Sequence, residues 1–507
     1  MNLSRDSYRY WFVAVPLFLL HAVLMFSRYG QLPAAPSVLD EVIVNDAAFS
    51  LGQGGPYAAT SFRESALGLD HLFAHFPPLY PLTESLSVRL LGPSAYSLRL
   101  TTTLMSIAAS FILVFLSYKL FRKGVLSLQT ALFLSALYCT CGPLMMLERM
   151  ARMESMISVF VLLALSFLLK AYFVPPAKSN ALWIMLAGLA TGLAMATHPE
   201  AITAVIFLAI LTLFCPGRIV PKLAAGVLVG LVPLLICLLT FRSQSLAAYR
   251  QFHAILTLYT PKDQKLFQLL AMLIRAHSLF LVVWHYVVES IAALSLVIVL
   301  AYIFRRQELP AGSTVRRLAT AFAVAGAVEF LLMAVLLGAN RTRHQFLFGP
   351  LLVAAVFLLF GARPIKTLCA VGLSAIIAVQ LAVVTLYLYR GGDRPGRMSP
   401  ERFAPVVRMI PPNTSILAMD ELWLAFQEAH RPFTLRSPAF DGRLDWNKLP
   451  DHLAHFNVVI TSEERLAGDH WIKTNVAKGW SQTTYMAGDE KVLIFTRPGV
   501  TLQPAAH

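Results

Sequence analysis

Five short polar segments interrupt an otherwise apolar chain, and their residue types suggest chemistry. Leu39-Asp40-Glu41-Val42 holds an adjacent pair of acids, and His75-Phe76-Pro77-Pro78-Leu79 sets a histidine before two prolines. Glu148-Arg149-Met150-Ala151-Arg152-Met153-Glu154 packs two acids and two arginines into seven residues. Thr197-His198-Pro199-Glu200 and Asn340-Arg341-Thr342-Arg343-His344-Gln345 complete the set. A positioned carboxylate can take the proton of an acceptor hydroxyl, worth about 10²–10⁴ in rate. Guanidinium groups pair bidentately with phosphate oxygens and stabilise a departing phosphate. Acids and arginines at a membrane boundary therefore suit transfer from a lipid phosphate to a hydroxyl. Each segment also has a plainer reading: Asp40 and Glu41 as caps or solvated loop acids, His75 as part of a Pro-rich turn, His198 and Glu200 as a polar turn.

The elements that must hold these residues follow from composition. Of 507 residues, 57% are hydrophobic and 14% charged, against roughly 25% charged in a soluble domain. Mean hydropathy is +0.64. That excess of apolar side chain must face lipid. Apolar runs at about 10–27, 97–118, 125–141, 155–173, 181–197, 201–215, 223–241, 277–304, 318–338, 346–361 and 367–389 predict about eleven spans. Arg5 and Arg9 precede the first, which reads as an uncleaved span rather than a signal peptide.

The net charge of +15 lies in short tracts between apolar runs, a pattern that encodes topology and argues against nucleic-acid binding. With the N-terminus cytoplasmic, every second connection is basic: Lys119 to Lys123, Lys170 to Lys178, Arg218 to Lys222, Arg305 to Arg317, and Arg363 to Lys366. Most of the opposite connections carry both signs, and together they hold all five polar segments. An odd number of spans then puts the tail outside the cytoplasm. The expected organisation is a transmembrane domain over residues 1–390, with a first outer loop at 28–96, and an extracytoplasmic C-terminal α/β domain over 391–507. Thr414–Met419 and Phe456–Thr461 read as buried strands there, and Thr483–Met486 and Lys491–Thr496 flank a hairpin signal, Ala487-Gly488-Asp489-Glu490. The expected fold class is thus a polytopic α-helical membrane protein with a small α/β tail.

The five cysteines show neither a disulfide framework nor zinc spacing and read as small buried apolar residues. Asp40, Glu41, Glu154 and His198 could supply ligands to a divalent metal, though no spacing demands one. No other cofactor is expected.

Three motifs carry a family resemblance. Leu39-Asp40-Glu41-Val42, then Leu51-Gly52-Gln53-Gly54-Gly55-Pro56-Tyr57, then His75-Phe76-Pro77-Pro78-Leu79, resembles the first-loop signature of GT-C membrane glycosyltransferases. The likeness is to the protein O-mannosyltransferase and lipid A aminoarabinose-transferase group. Met150-Ala151-Arg152-Met153-Glu154-Ser155 is similar to that group's second-loop Arg-and-acid motif, and Thr342-Arg343-His344-Gln345-Phe346 with Gly349-Pro350 to its later Arg-Tyr-type element. The resemblance covers roughly residues 10–390. It implies a polyprenyl-phosphate sugar donor, inversion, and an active site facing the periplasm in bacteria or the lumen in eukaryotes. The expected location is the bacterial inner membrane, multi-pass. The resemblance puts the catalytic base at Asp40 with Glu41 beside it. Arg152, Glu154 and Arg343 are matched to substrate and donor phosphate, with His75, His198 and His344 as further binding candidates. Phe76 separates His75 from the prolines, and His344 stands where a tyrosine is common. Acceptors within the class are lipid A (lipopolysaccharide), another envelope glycan, or protein.

Glu289 and Glu329 lie inside apolar runs and by themselves suggest a multi-spanning transporter or lipid flippase, although no internal repeat supports that. A third reading is a non-catalytic envelope protein with a sensor tail. The charge alternation predicts that alkaline phosphatase fused after Arg390 is active in a bacterial host and that green fluorescent protein fused there is dark; the reverse pattern would invert the topology.

Overall fold

The computed structural model describes residues 5–27, 38–62, 73, 77–173, 178–215, 220–240, 279–310, 312–335, 345–390, 400–436, 455–468, 470–476 and 478–504. In chain order the helices are α1 (Arg5–Phe26), α2 (Val38–Gly52), α3 (Leu79–Leu91), α4 (Ala95–Arg122), α5 (Leu128–Cys139), α6 (Gly142–Glu148), α7 (Glu154–Phe173), α8 (Lys178–Thr197), α9 (Ile202–Leu213), α10 (Val220–Gly230), α11 (Val232–Thr240), α12 (Leu279–Arg305), α13 (Thr314–Val335), α14 (Phe348–Leu359) and α15 (Thr367–Arg390). A mixed α/β segment follows: α16 (Pro400–Met409), β1 (Ile416–Met419), α17 (Trp423–Glu428), β2 (Thr434–Arg436), β3 (Val458–Ser462), α18 (Glu463–Gly468), α19 (His470–Asn475), β4 (Ser481–Ala487) and β5 (Glu490–Thr496).

Among the described residues, α1, α4, α7 and α15 are each long and apolar enough to cross a membrane, and the pair α5–α6, bent by 45°, would make a fifth. Shorter apolar helices cover 181–197, 199–213, 221–230, 290–305 and 345–359. Proline and glycine divide two of the apolar runs. Gly142 and Pro143 open α6 after the break at Thr140-Cys141, and Gly230 and Pro233 flank the boundary of α10 and α11; proline lacks the N–H that would continue the helical ladder. The outward faces are apolar. In α1 a stripe of Ser7, Tyr10, Ala14, His21 and Met25 is buried, while Phe12, Leu19 and Val23 are exposed. That is one helical face packed on protein and the others left for lipid.

Two ends of the bundle differ. At one, Arg122 donates to Ser7, the Ser127 amide donates to Gly361, and Arg305 and Arg363 both pair with Glu308. The basic connections 119–123, 305–317 and 361–366 therefore meet. At the other end, α2, α3, the first turns of α4 and α7, and the C-terminal segment share one buried apolar cluster, including Val42, Phe49, Tyr80, Leu98, Ala151, Met153, Phe403, Trp423 and Val458. Close backbone packing supports this arrangement. A Cβ on Gly52 would lie 2.5 Å from the Val88 Cβ, so glycine lets the end of α2 pass α3. Deeper in the bundle α8 and α10 each carry two glycines four residues apart, and a Cβ on Gly192 would lie within 2.3 Å of the Val227 carbonyl, a small-residue crossing suited to lipid.

The C-terminal sheet has the order β2-β1-β3-β5-β4, with β1 parallel to β2 and β3, and β5 antiparallel to β3 and β4. β1 and β3 are buried on both faces, as a parallel pair covered by helices should be. Gly488, at φ +66°, opens the two-residue turn between β4 and β5. Arg465 of α18 pairs with both Asp420 and Glu421 at the end of β1, tying the two ends together. Replacing Gly52 with alanine should destabilise the protein by about 1–3 kcal/mol, read as a lower thermal midpoint in detergent. An unchanged midpoint would mean that α2 and α3 do not pack this closely.

Candidate active site

The candidate site begins on α2. Glu41 and Asn45 stand one turn apart on the same face. The Glu41 carboxylate accepts the Ala151 amide N–H at 2.6 Å, and the Asn45 side-chain amide donates to the Ala151 carbonyl at 2.8 Å and to the Glu41 carbonyl at 2.7 Å. The backbone N–H and C=O of Ala151, between α6 and α7, are thus both gripped by the juxtamembrane helix. Arg99, in the second turn of α4, approaches Glu41 at 4.0 Å, and both are almost fully buried.

One residue beyond Ala151, Arg152 binds Glu154 through two contacts, Nη2 to Oε1 at 2.5 Å and Nε to Oε2 at 3.2 Å. Each is about 5% exposed. Glu154 opens α7, where a carboxylate also meets the positive end of the helix dipole. Tyr80 and Glu84 of α3 border the same cluster. Burial pushes the Glu84 carboxyl well above the usual carboxylate range, with the Thr101 hydroxyl pulling back. Burial also raises the Tyr80 phenol, reinforced by Glu84, Glu41 and Glu154 nearby.

The remaining charges of the second polar segment do different work. Arg149 donates to the carbonyls of Leu24, Met25 and Ser27 at 2.6–3.0 Å, satisfying the open C-terminal end of α1. Glu148 accepts the Ser106 hydroxyl at 2.5 Å, and His21 bridges Ser106 to the Cys139 carbonyl. This segment therefore holds a site pair, Arg152 and Glu154, beside two residues that fasten the helices under it.

Asp40 lies in the first turn of α2, beside Glu41; its side chain is outside the described residues, as are His75, Arg343 and His344 altogether. Glu289 lies in α12 with its side chain likewise outside the description. His198 caps a short 3₁₀ turn, its Nδ1 accepting the Glu200 amide at 3.1 Å, which is the turn reading of that segment. Among the described residues no group of three or more His, Cys, Asp or Glu side chains is placed to hold a metal ion. The described cysteines are unbridged, with Cys139, Cys141 and Cys215 buried. Arg99, Asn45, Tyr80 and Glu84 are members of the cluster that the sequence motifs do not mark. An arginine at the head of an apolar run, and a polar residue four positions after Glu41, are the signals that could have found Arg99 and Asn45.

No family model matches the chain, and no curated protein matches it in sequence. Solved structures do. ArnT from Cupriavidus metallidurans, solved in the apo state and bound to undecaprenyl phosphate, aligns at 14% identity and TM-score 0.49; for the apo structure the alignment covers 95% of this chain and 97% of that one. The archaeal oligosaccharyltransferase AglB from Archaeoglobus fulgidus, in complex with an inhibitory peptide and a dolichol-phosphate, aligns at 11% identity and TM-score 0.49 over 90% of this chain and 69% of that one. The mycobacterial arabinofuranosyltransferase AftD aligns at 15% identity and TM-score 0.48, over 98% of this chain and 42% of that one.

The Arg152–Glu154 pair separates stability from chemistry. Glu154→Ala takes the carboxylate from the buried Arg152 guanidinium and should cost about 3–5 kcal/mol. The double variant Arg152→Met, Glu154→Leu should recover much of that in a thermal-unfolding measurement. A double variant as unstable as the single would show that the pair's worth lies outside its charges.

Proposed function

We propose that this protein is an integral membrane glycosyltransferase that moves a sugar from a polyprenyl-phosphate donor to a hydroxyl of an envelope acceptor (lipid A, another glycan or protein) with inversion. One observation carries the reading. Glu41, next to Asp40 on α2, binds the Ala151 amide 110 residues away, so Glu41 of the first loop and the buried Arg152–Glu154 pair of the second lie side by side. Acids and arginines brought together in this way match the needs of a hydroxyl nucleophile and a phosphate leaving group.

In this reading the Asp40 carboxylate takes the proton of the acceptor hydroxyl. The oxygen attacks the anomeric carbon as the bond from that carbon to the phosphate oxygen breaks. The electron pair leaves with the polyprenyl phosphate, whose charge is met by Arg343 and by Arg152, with His75 alongside. Glu41, already engaged with Ala151 and Arg99, fixes the direction of α2 rather than moving a proton. Glu154 holds the Arg152 guanidinium in one plane. In this reading the protein sits in a bacterial inner membrane with the site and the C-terminal segment facing away from the cytoplasm, an orientation that the basic connections at the opposite end support.

The decisive assay uses purified protein with a polyprenyl-phosphate sugar and envelope acceptors. Asp40→Asn should lower the transfer rate by about 10²-fold or more, and a rate near that of the unaltered protein would remove Asp40 as the base. A transporter reading has one observation in its favour, the buried Glu329 of α13. It predicts ion-gradient-dependent flux with no new glycosidic bond. Mass spectrometry of envelope glycans and glycoproteins from a deletion strain would identify the sugar and acceptor by what is missing.

A further inference from the structure

A buried carboxylate lies where the C-terminal segment meets the first-loop helix. Asp46 lies on α2, between the turn that carries Asp40 and Glu41 and the end of the helix at Gly52, and it is fully buried. Its Oδ1 accepts the Ser61 hydroxyl at 2.6 Å, the Trp423 indole N–H at 2.7 Å and the Gln427 amide at 2.9 Å, while Oδ2 accepts the Ser61 backbone N–H at 2.8 Å. All four partners are donors, so the group is matched as a carboxylate and an amide in its place is mismatched. Two of the donors stand on α17, in the C-terminal segment, and two on the first loop after α2. Around them Phe49 packs on Trp423 with ring centroids 4.8 Å apart, Gln53 meets Gln427 at 3.3 Å, and the Ala95 amide donates to Glu428 at 3.3 Å. The apolar side chains on both sides belong to the same cluster. A buried carboxylate satisfied from two directions resists any sliding of one body on the other, because each displaced donor leaves an uncompensated charge.

We infer that Asp46 is a positioning residue: it pins α17 of the C-terminal segment to α2 and thereby fixes the helix that presents Asp40, making the C-terminal segment a part of the catalytic architecture rather than an appended module. This rests on the glycosyltransferase reading for its effect on rate and on the contacts alone for the docking. An asparagine at 46 has one acceptor oxygen for four donors and turns its own N–H groups toward them. The described partners of Asp46 are Ser61, Trp423 and Gln427, so its loss should act on kcat through the placement of Asp40, with KM for the lipid donor little changed.

The test uses the full-length protein with Cys369 replaced by Ser and cysteines introduced by Gln53→Cys and Glu428→Cys, at neighbouring positions of the contact. A short bis-maleimide then reports docking without any turnover. Asp46→Asn in this background should slow cross-linking about tenfold, lower kcat about tenfold and move KM less than twofold; driving the cross-link to completion should restore kcat to near the parent value. In uncross-linked protein Trp423→Phe should cost little more once Asp46→Asn is present, because the two act as one unit. Unchanged cross-linking in Asp46→Asn overturns the docking. Unchanged kcat, or a kcat that verified cross-linking fails to restore, overturns the positioning role. If the parent protein transfers no sugar while Asp46→Asn still slows cross-linking, the functional reading fails and the docking stands.

Discussion

Charged side chains cannot leave water singly, and this constraint organises the end of the molecule where the candidate site lies. Removing one partner from a buried ion pair costs about 3–5 kcal/mol, more than a typical single substitution. Glu41, Arg99, Arg152 and Glu154 are all buried, and each is held by another polar group. The arrangement is over-determined. Glu41 faces Arg99 and the Ala151 amide, Asn45 holds the Ala151 carbonyl, and Arg152 meets both oxygens of Glu154. A juxtamembrane helix satisfied in this way has one orientation, and whatever Asp40 does it does from that orientation.

The same constraint accounts for the residues under and above the cluster. Arg149 satisfies three carbonyls at the end of α1, and the Glu148–Ser106–His21 chain ties α6 to α4 and α1. Above it, Asp46 collects four donors from two bodies. Burial raises the Asp46 carboxyl and each of those donors draws it back. Polar groups thus act as fasteners wherever apolar packing alone would leave helices free to slide, and the apolar cluster shared by α2, α3 and the C-terminal sheet supplies the bulk of the contact.

Much of this was legible in order and type of residue. Apolar runs mark the helices at 5–26, 95–122, 154–173 and 367–390, and a Gly-Asp turn signal between two strand-forming runs marks β4 and β5. β2, three residues long, is too short to carry a pattern. The polar segments flag Asp40, Glu41, Arg152 and Glu154 because charges beside apolar runs are expensive. The roles of neighbours are less legible: Glu148 and Glu154 look alike in sequence, yet one fastens helices and the other pairs with Arg152.

The sequence by itself determined that the chain belongs in a membrane, that its basic connections alternate with polar ones, and that acids and arginines gather in the latter. These are properties of composition and spacing along one dimension. Only the tertiary structure decided which of those charges meet. Arg99, Tyr80 and Glu84 join the cluster because α3 and α4 run back beside α2, and Asp46 finds Trp423 and Gln427 nearly four hundred positions along the chain, at separations of 377 and 381 residues. Pairings over such distances leave no local pattern, since each partner needs only to be polar and correctly placed, and placement is fixed by the packing of every helix between them.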